Sequence, residues 1–260
     1  MPDPLKICVD VSFIIPAFNE EKYILRTLRS IARQKTNLKY EIIVVDNGST
    51  DRTVELAKRY ARVIHQKEKG IAATRNLGAK HAKGRLLIFV DADTYLPRNY
   101  LSKVWKRMNE GVVALTARIR FQTRRNTPKE TRRVLSLATK VVNAILQLLS
   151  KIGKTKLAGV NTAVWKDAFN KVGGFPNVPS EDVAFSKNIR KLGKTEFYMG
   201  TYVITSSRRF EDTKNLAQAV VYYLTRDVIS GLKLSNTKGL NNLGKLLEKK
   251  VGFSKYRGVR

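Results

Sequence analysis

Residues 86–97 read LLIFVDADTYLP: five apolar residues, two aspartates separated by one alanine, and at 97 a proline that closes the run. An apolar side chain at every position suits a strand covered on both faces, as strands are in parallel sheets. The chain leading up to it repeats one pattern, a short β-branched run followed by an amphipathic segment. VDVSFII (9–15), YEIIVVD (40–46), RVIHQ (62–66) and RLLIFVD (85–91) read as strands. Segments 20–34, 53–59 and 71–82 read as helices, the first with Ile24, Leu28 and Ile31 on one face. This alternation predicts βαβ units and an α/β fold with a Rossmann-like, mostly parallel central sheet flanked by helices.

Beyond residue 111 the pattern changes. Segments 112–122, 160–165 and 196–206 suit strands, and 180–193 suits a helix with Ser180 as its N-cap and a glycine at its end. Residues 127–154 predict one long basic helix in which Val134, Ala138, Val141, Ile145, Leu148 and Ile152 recur three and four apart. From residue 207 onward twelve basic residues stand against four acidic ones, and this segment is expected to be helical.

In an open parallel sheet, ligands sit at the carboxyl ends of the strands. The loops there read PAFNEE (16–21), DNGSTD (46–51) and DADTYLP (91–97), and they hold Glu20, Glu21, Asp46, Asp51, Asp91 and Asp93, six of the 21 acidic residues. Asp91 and Asp93 leave the strand into one loop and must repel each other unless a cation sits between them. A hard divalent ion, Mn²⁺ or Mg²⁺, is the expected cofactor: such ions take oxygen ligands and are commonly held by one or two carboxylates plus substrate phosphates.

Four segments together carry a resemblance: VSFIIPAFNEEKYILRTLRSI (11–31), EIIVVDNGSTDRTVELAK (41–58), KGIAATRNLGAKHAKGRLLIFVDADTYLP (69–97) and GVNTAVWKDAFNKVGGFPNVPSEDVAFSKNIRKLG (159–193). Their order and spacing resemble the signature segments of family 2 inverting glycosyltransferases with the GT-A fold. The resemblance implies that Pro16, Ala17, Phe18, Glu20 and Asp46 contact the nucleoside of a nucleotide-sugar donor, with Arg75 on its base or phosphates. It implies that Asp91, Ala92 and Asp93 bind ribose and the metal, and that Arg208 and Arg209 clamp the diphosphate. Glu181 and Asp182 match the family's Glu-Asp pair, whose aspartate is the general base. A UDP-sugar is preferred as donor, with a GDP-sugar open. On this basis residues 1–121 form the nucleotide-sugar-binding half, 122–206 the acceptor-binding half of the same domain, and 207–260 a basic C-terminal segment. The Gln-x-x-Arg-Trp motif of processive synthases is absent, which favours transfer of one sugar at a time.

Composition sets the surroundings. The chain has 260 residues, 50 Lys and Arg against 21 Asp and Glu, and a net charge of +29. Such a field attracts polyanions, and with a basic amphipathic helix it suits an anionic membrane face and a lipid-linked acceptor. The start, MPDPLKICVDVSFII, lacks the basic opening and unbroken apolar run of an export signal, and the one cysteine, Cys8, can form no intramolecular disulfide. A cytoplasmic protein, peripheral on the cytoplasmic membrane face and not crossing it, is expected. Cys8 is expected to pack in the first strand, and His65 and His81 to be ordinary strand and helix residues.

Two other readings remain. A basic nucleic-acid-binding α/β protein would interleave aromatics with cations in one groove, whereas here Tyr and Phe fall among core strands, so no nucleic acid is expected. A sugar-phosphate nucleotidyltransferase would carry a glycine-rich loop with a lysine after the first strand, and PAFNEE has neither.

Overall fold

The computed structural model describes residues 9–68, 70–123, 126–178 and 180–208. The reading of Cys8, of Arg209 and of a helical segment after 208 lies outside these residues. The strands are β1 (Val11–Ala17), β2 (Tyr40–Asp46), β3 (Arg62–His65), β4 (Leu86–Val90), β5 (Thr94–Tyr95), β6 (Ala114–Gln122), β7 (Asn161–Trp165) and β8 (Thr195–Ser206). The helices are α1 (Ile24–Ala32), α2 (Thr53–Ala57), α3 (Ile71–His81), α4 (Tyr100–Met108), α5 (Lys129–Lys151), α6 (Lys166–Lys171) and α7 (Glu181–Ile189). The strands form one eight-stranded sheet in the order β3-β2-β1-β4-β7-β6-β8-β5.

Strands β1 to β4 pair in parallel, as the alternation predicts. β7 then runs antiparallel between β4 and β6, β8 runs parallel to β6, and the short β5 closes the far edge antiparallel to β8. Pro16 is still paired with Val45 of β2, but the Ala17 carbonyl, which accepts from the Asn47 amide, faces β2, so the Pro16 nitrogen faces the β4 side, beyond the last β1–β4 pair Ile14↔Phe89, where the ladder needs no amide.

Successive side chains of a strand point to opposite faces, which divides the core in two. Val11, Phe13 and Ile15 of β1 join Ile24, Leu28 and Ile31 of α1 and Leu101 and Val104 of α4 on one side. Ile14, Ile43 and Phe89 join Ala72 and Ala79 of α3, Phe169 of α6 and Phe185 of α7 on the other. Gly78 lets α3 lie close on the sheet: a Cβ there would overlap the Ile14 Cγ2 methyl and press on Val45 Cγ2 at 3.0 Å.

The structure amends several expectations. β5, α4 and α6 are additional elements. Ser180 does stand at the N-cap of α7, but in the left-handed region (φ 60°) and with no side-chain capping bond; its carbonyl accepts from the Val183 and Ala184 amides instead. In α5 the residues buried against the body are Leu135, Asn143, Leu146 and Leu149, while Val134, Val141, Leu148 and Ile152 of the recurrent apolar series are exposed. Between Ala117↔Tyr198 and Arg118↔Tyr202 the β6–β8 register jumps, leaving Met199, Gly200 and Thr201 as an irregularity in β8.

Candidate active site

The loops after β1, β2 and β4 lie along the carboxyl edge of the parallel strands, and they are fastened to one another. Asn19 takes a left-handed conformation (φ 52°), which asparagine tolerates. Its Oδ1 accepts from the Thr50 amide at 2.8 Å and its own amide donates to Ser49 Oγ at 2.9 Å. The Glu20 amide donates to Thr53 Oγ1 at 2.7 Å and the Glu21 amide to Asp51 Oδ2 at 3.1 Å. Desolvation would raise the Asp51 carboxyl, but bonds from the Thr53 hydroxyl and amide and the Glu21 amide hold it below the ordinary carboxylate range. Phe18, exposed, projects from this double loop.

Asp46, 2% exposed, spends its carboxylate on its own turn, accepting from the Gly48 and Ser49 amides at 3.2 Å. His65 Nδ1 lies 3.4 Å from Asp46 Oδ2, a pairing the sequence reading of His65 missed, since adjacent parallel strands bring Asp46 opposite His65. Ala92 is buried and its carbonyl accepts from Thr27 Oγ1 at 2.7 Å, which ties the aspartate loop to α1.

Asp91 and Asp93 are not left to repel each other: the structure gives each a guanidinium. Asp91 Oδ1 is 3.1 Å from Arg75 Nη2, and Asp93 Oδ2 is 3.2 Å from Arg208 Nη2, with Asp93 Oδ1 accepting from Thr205 Oγ1 at 3.1 Å. Arg208 also grips both carboxylate oxygens of Glu20, the Nη1–Oε2 bond being 2.9 Å, and stacks over the Tyr23 ring. Burial raises the Glu20 carboxyl; Arg208 opposes this, Asp93 and Asp91 add to it, and the net position is above the ordinary carboxylate value. Burial would lower the Arg208 guanidinium, but the bond to Glu20 and the charge of Asp93 outweigh it and raise it.

Arg75 is the other junction. It is 1% exposed, donating from Nη1 to Glu181 Oε1 at 2.7 Å and from Nη2 to both Asp91 Oδ1 and the Gly159 carbonyl at 3.1 Å, with the Phe175 ring under it. Gly159 permits this approach, since a Cβ there would come within 2.5 Å of Arg75 Nη2. Arg75 thus bridges the β4 loop and α7, with Glu181 at the α7 end of the bridge. Asp182, beside it in the first turn of α7, accepts the Val183 amide at 2.8 Å through Oδ1.

Among the described residues, no three or more His, Cys, Asp or Glu side chains gather about one point. Asp91 and Asp93, oxygen donors only, fit a divalent ion that completes its shell with substrate oxygens and water rather than one caged by protein. Separately, a groove of about 420 Å³ beside α1 is lined by Lys22, Arg26, Arg29, Arg33 and Arg98.

In sequence and fold the chain is similar to known glycosyltransferases. The glycosyl transferase family 2 model matches residues 12–173. Glycosyltransferase AglE of Haloferax volcanii is 31% identical over 195 residues, covering 70% of this chain and 62% of that protein. A poly(ribitol-phosphate) beta-N-acetylglucosaminyltransferase, TarS of Staphylococcus aureus, is 35% identical over 98 residues, 35% of this chain and 17% of that protein. The chain thus spans less than two thirds of the length of these relatives. Among solved structures, TarS 1–349 in complex with UDP-GlcNAc has a TM-score of 0.62 at 20% identity, covering 85% of this chain and 67% of that one. Mannosyltransferase PcManGT from Pyrobaculum calidifontis, in complex with GDP-Man and Mn²⁺, has a TM-score of 0.66 at 21% identity, covering 90% and 68%. The curled, mostly parallel sheet is that of GT-A proteins. With its signature loops at one sheet edge and the family model spanning most of the sheet, the chain belongs to glycosyl transferase family 2.

Proposed function

We propose that the protein is a metal-dependent inverting glycosyltransferase that moves one sugar from a nucleotide-diphosphate sugar to an acceptor hydroxyl or lipid phosphate by single displacement. The observation that carries this reading is the meeting at one sheet edge of Asp91 and Asp93 with the Glu181–Asp182 turn, joined through Arg75. Strand-end loops from the N-terminal half would hold the donor, Phe18 flanking and Asp46 shaping the pocket for its nucleoside. A Mn²⁺ or Mg²⁺ held by Asp93 with Asp91 would supply Lewis-acid relief of the charge growing on the departing diphosphate. Arg208 is placed to turn from Glu20 and Asp93 towards phosphate oxygens, which its planar fork suits equally well. Asp182 is the general base that accepts the acceptor's proton as the new bond forms, while Glu181 and Arg75 hold the turn that presents it. UDP-sugars come first among donors because the TarS structures were solved with UDP-GlcNAc and UDP, and GDP-sugars second because PcManGT was solved with GDP-Man. A lipid-linked acceptor at a cytoplasmic membrane face fits the charge of +29.

A thermal-unfolding panel of UDP- and GDP-sugars with and without Mn²⁺ tests the reading. A donor at a hundred times its Kd adds about 2.7 kcal/mol, so Tm should rise by roughly 5–10 °C for a chain of this size, and only with metal. If no nucleotide sugar raises Tm in the presence of Mn²⁺, the reading is wrong.

A further inference from the structure

The 23-residue helix α5 has two apolar faces. One is anchored: Asn143 donates to the Ile119 carbonyl at 2.9 Å and accepts from the Ile119 amide at 3.2 Å, and Ser150 Oγ accepts from the Phe197 amide at 2.9 Å. Leu135, Leu146 and Leu149 are buried with them. The other face carries Val134 (47% exposed), Leu137 (65%), Val141 (42%), Leu148 (61%) and Ile152 (54%), most of the large apolar side chains that the described residues leave in the open. Val134, Val141, Leu148 and Ile152 recur at seven and four, with Leu137 one turn from Val134, so the five form a single stripe along the helix. Arg133, Lys140 and Lys151, all exposed and spaced close to whole turns, run along one flank of it.

We infer that this face of α5 docks on an anionic lipid bilayer, the stripe entering the headgroup boundary and the cationic row meeting lipid phosphates. By length and composition α5 could span a membrane, but a helix tied to β6 and β8 through Asn143 and Ser150 lies on the surface and does not cross it. Charge decides between occupants. Two copies of this face in a symmetric dimer would set like charges in opposition. The chain's own residues 209–260, with eleven Lys and Arg against four Asp and Glu, would be repelled as well. An anionic membrane is attracted by both the row and the overall charge. The inference goes beyond the transfer reading and does not depend on it.

The test uses the full chain and sedimentation with vesicles of phosphatidylcholine alone or with about 30 mol % phosphatidylglycerol. The wild type should sediment with the anionic vesicles only. Neutralising each cation should weaken partition about fivefold, so that Arg133→Gln/Lys140→Gln/Lys151→Gln loses roughly a hundredfold. Leu137→Ser/Leu148→Ser should lose at least about tenfold through the apolar area it no longer buries. Both variants should keep the wild-type Tm and the wild-type response to nucleotide sugar and Mn²⁺; if the leucine variant does not fold, the charge variant decides alone. The inference is overturned if the wild type ignores anionic vesicles, or if the charge variant binds them undiminished. It is also overturned if the protein forms a dimer that Leu137→Ser/Leu148→Ser dissolves while vesicles have no effect. Vesicle binding without any nucleotide response would sink the transfer reading alone.

Discussion

Arg75 joins positions far apart in sequence. Its guanidinium holds Asp91 on one side and Glu181 on the other, with side-chain exposures of 1%, 20% and 14%. Removing one member of such a set leaves the others charged, poorly hydrated and unpaired, at a cost of about 3–5 kcal/mol when burial is complete. The partial exposure of both carboxylates puts Arg75→Met near the lower end, about 3 kcal/mol of destabilisation by chemical denaturation. Asp182 is different: Asp182→Asn should preserve the donor-induced rise in Tm and reduce transfer by about 10²–10⁴, as loss of a general base does. Unimpaired turnover would remove Asp182 from the mechanism. The residue types at these positions were legible in the sequence, but their partners were not. Nothing in a one-dimensional pattern shows that Arg208 reaches Glu20 across 188 positions, or that Arg75 pairs with both Asp91 and Glu181.

At the scale of elements, the order of the parallel half was legible but its bounds only in part: β1 lies two residues later than expected, at Val11–Ala17, and α1 is shorter than expected at both ends, at Ile24–Ala32. Strand β2 falls where expected, at Tyr40–Asp46, because a β-branched run bounded by turn residues has few alternatives. β5 has only two residues and no pattern of its own, and it exists because β8 passes beside Thr94 and Tyr95. The buried side of α5 was not legible either, since a helix apolar over most of its circumference does not reveal from sequence which stripe meets the core. Packing of α3 offers a check on how tightly the layers fit. Gly78→Ala gains about 1 kcal/mol of helix propensity, yet the added methyl overlaps Ile14. Overpacking costs about 1–3 kcal/mol and should prevail, so the variant should unfold at lower denaturant concentration than wild type. An increase in the midpoint would show that α3 can move outward without loss.

For the molecule as a whole, the charge of +29 is a destabilising term that salt can relieve. Raising ionic strength from about 0.01 M to 0.15 M shortens the screening length from ~30 Å to ~8 Å. Repulsion among surface cations weakens, while the buried pairs around Arg75 and Arg208 are screened much less. Tm should therefore rise by about 2–4 °C, the equivalent of roughly 1 kcal/mol in a chain of this size; a fall would mean that exposed ion pairs outweigh repulsion. The same distribution of charge, acidic loops at the strand ends and cations elsewhere, keeps the carboxylate edge distinct within a basic body.

The jump in register between β6 and β8 at Met199, Gly200 and Thr201 acts as a spacer for the far end of the sheet. Side chains alternate in direction, so trimming that kink by one residue would turn Thr205 away from Asp93 and bring its neighbour's side chain to the wrong face. Arg208 would be displaced with it. The alignment of Thr205 and Arg208 on Asp93 is thus calibrated partway along an outer strand, at three residues upstream of both.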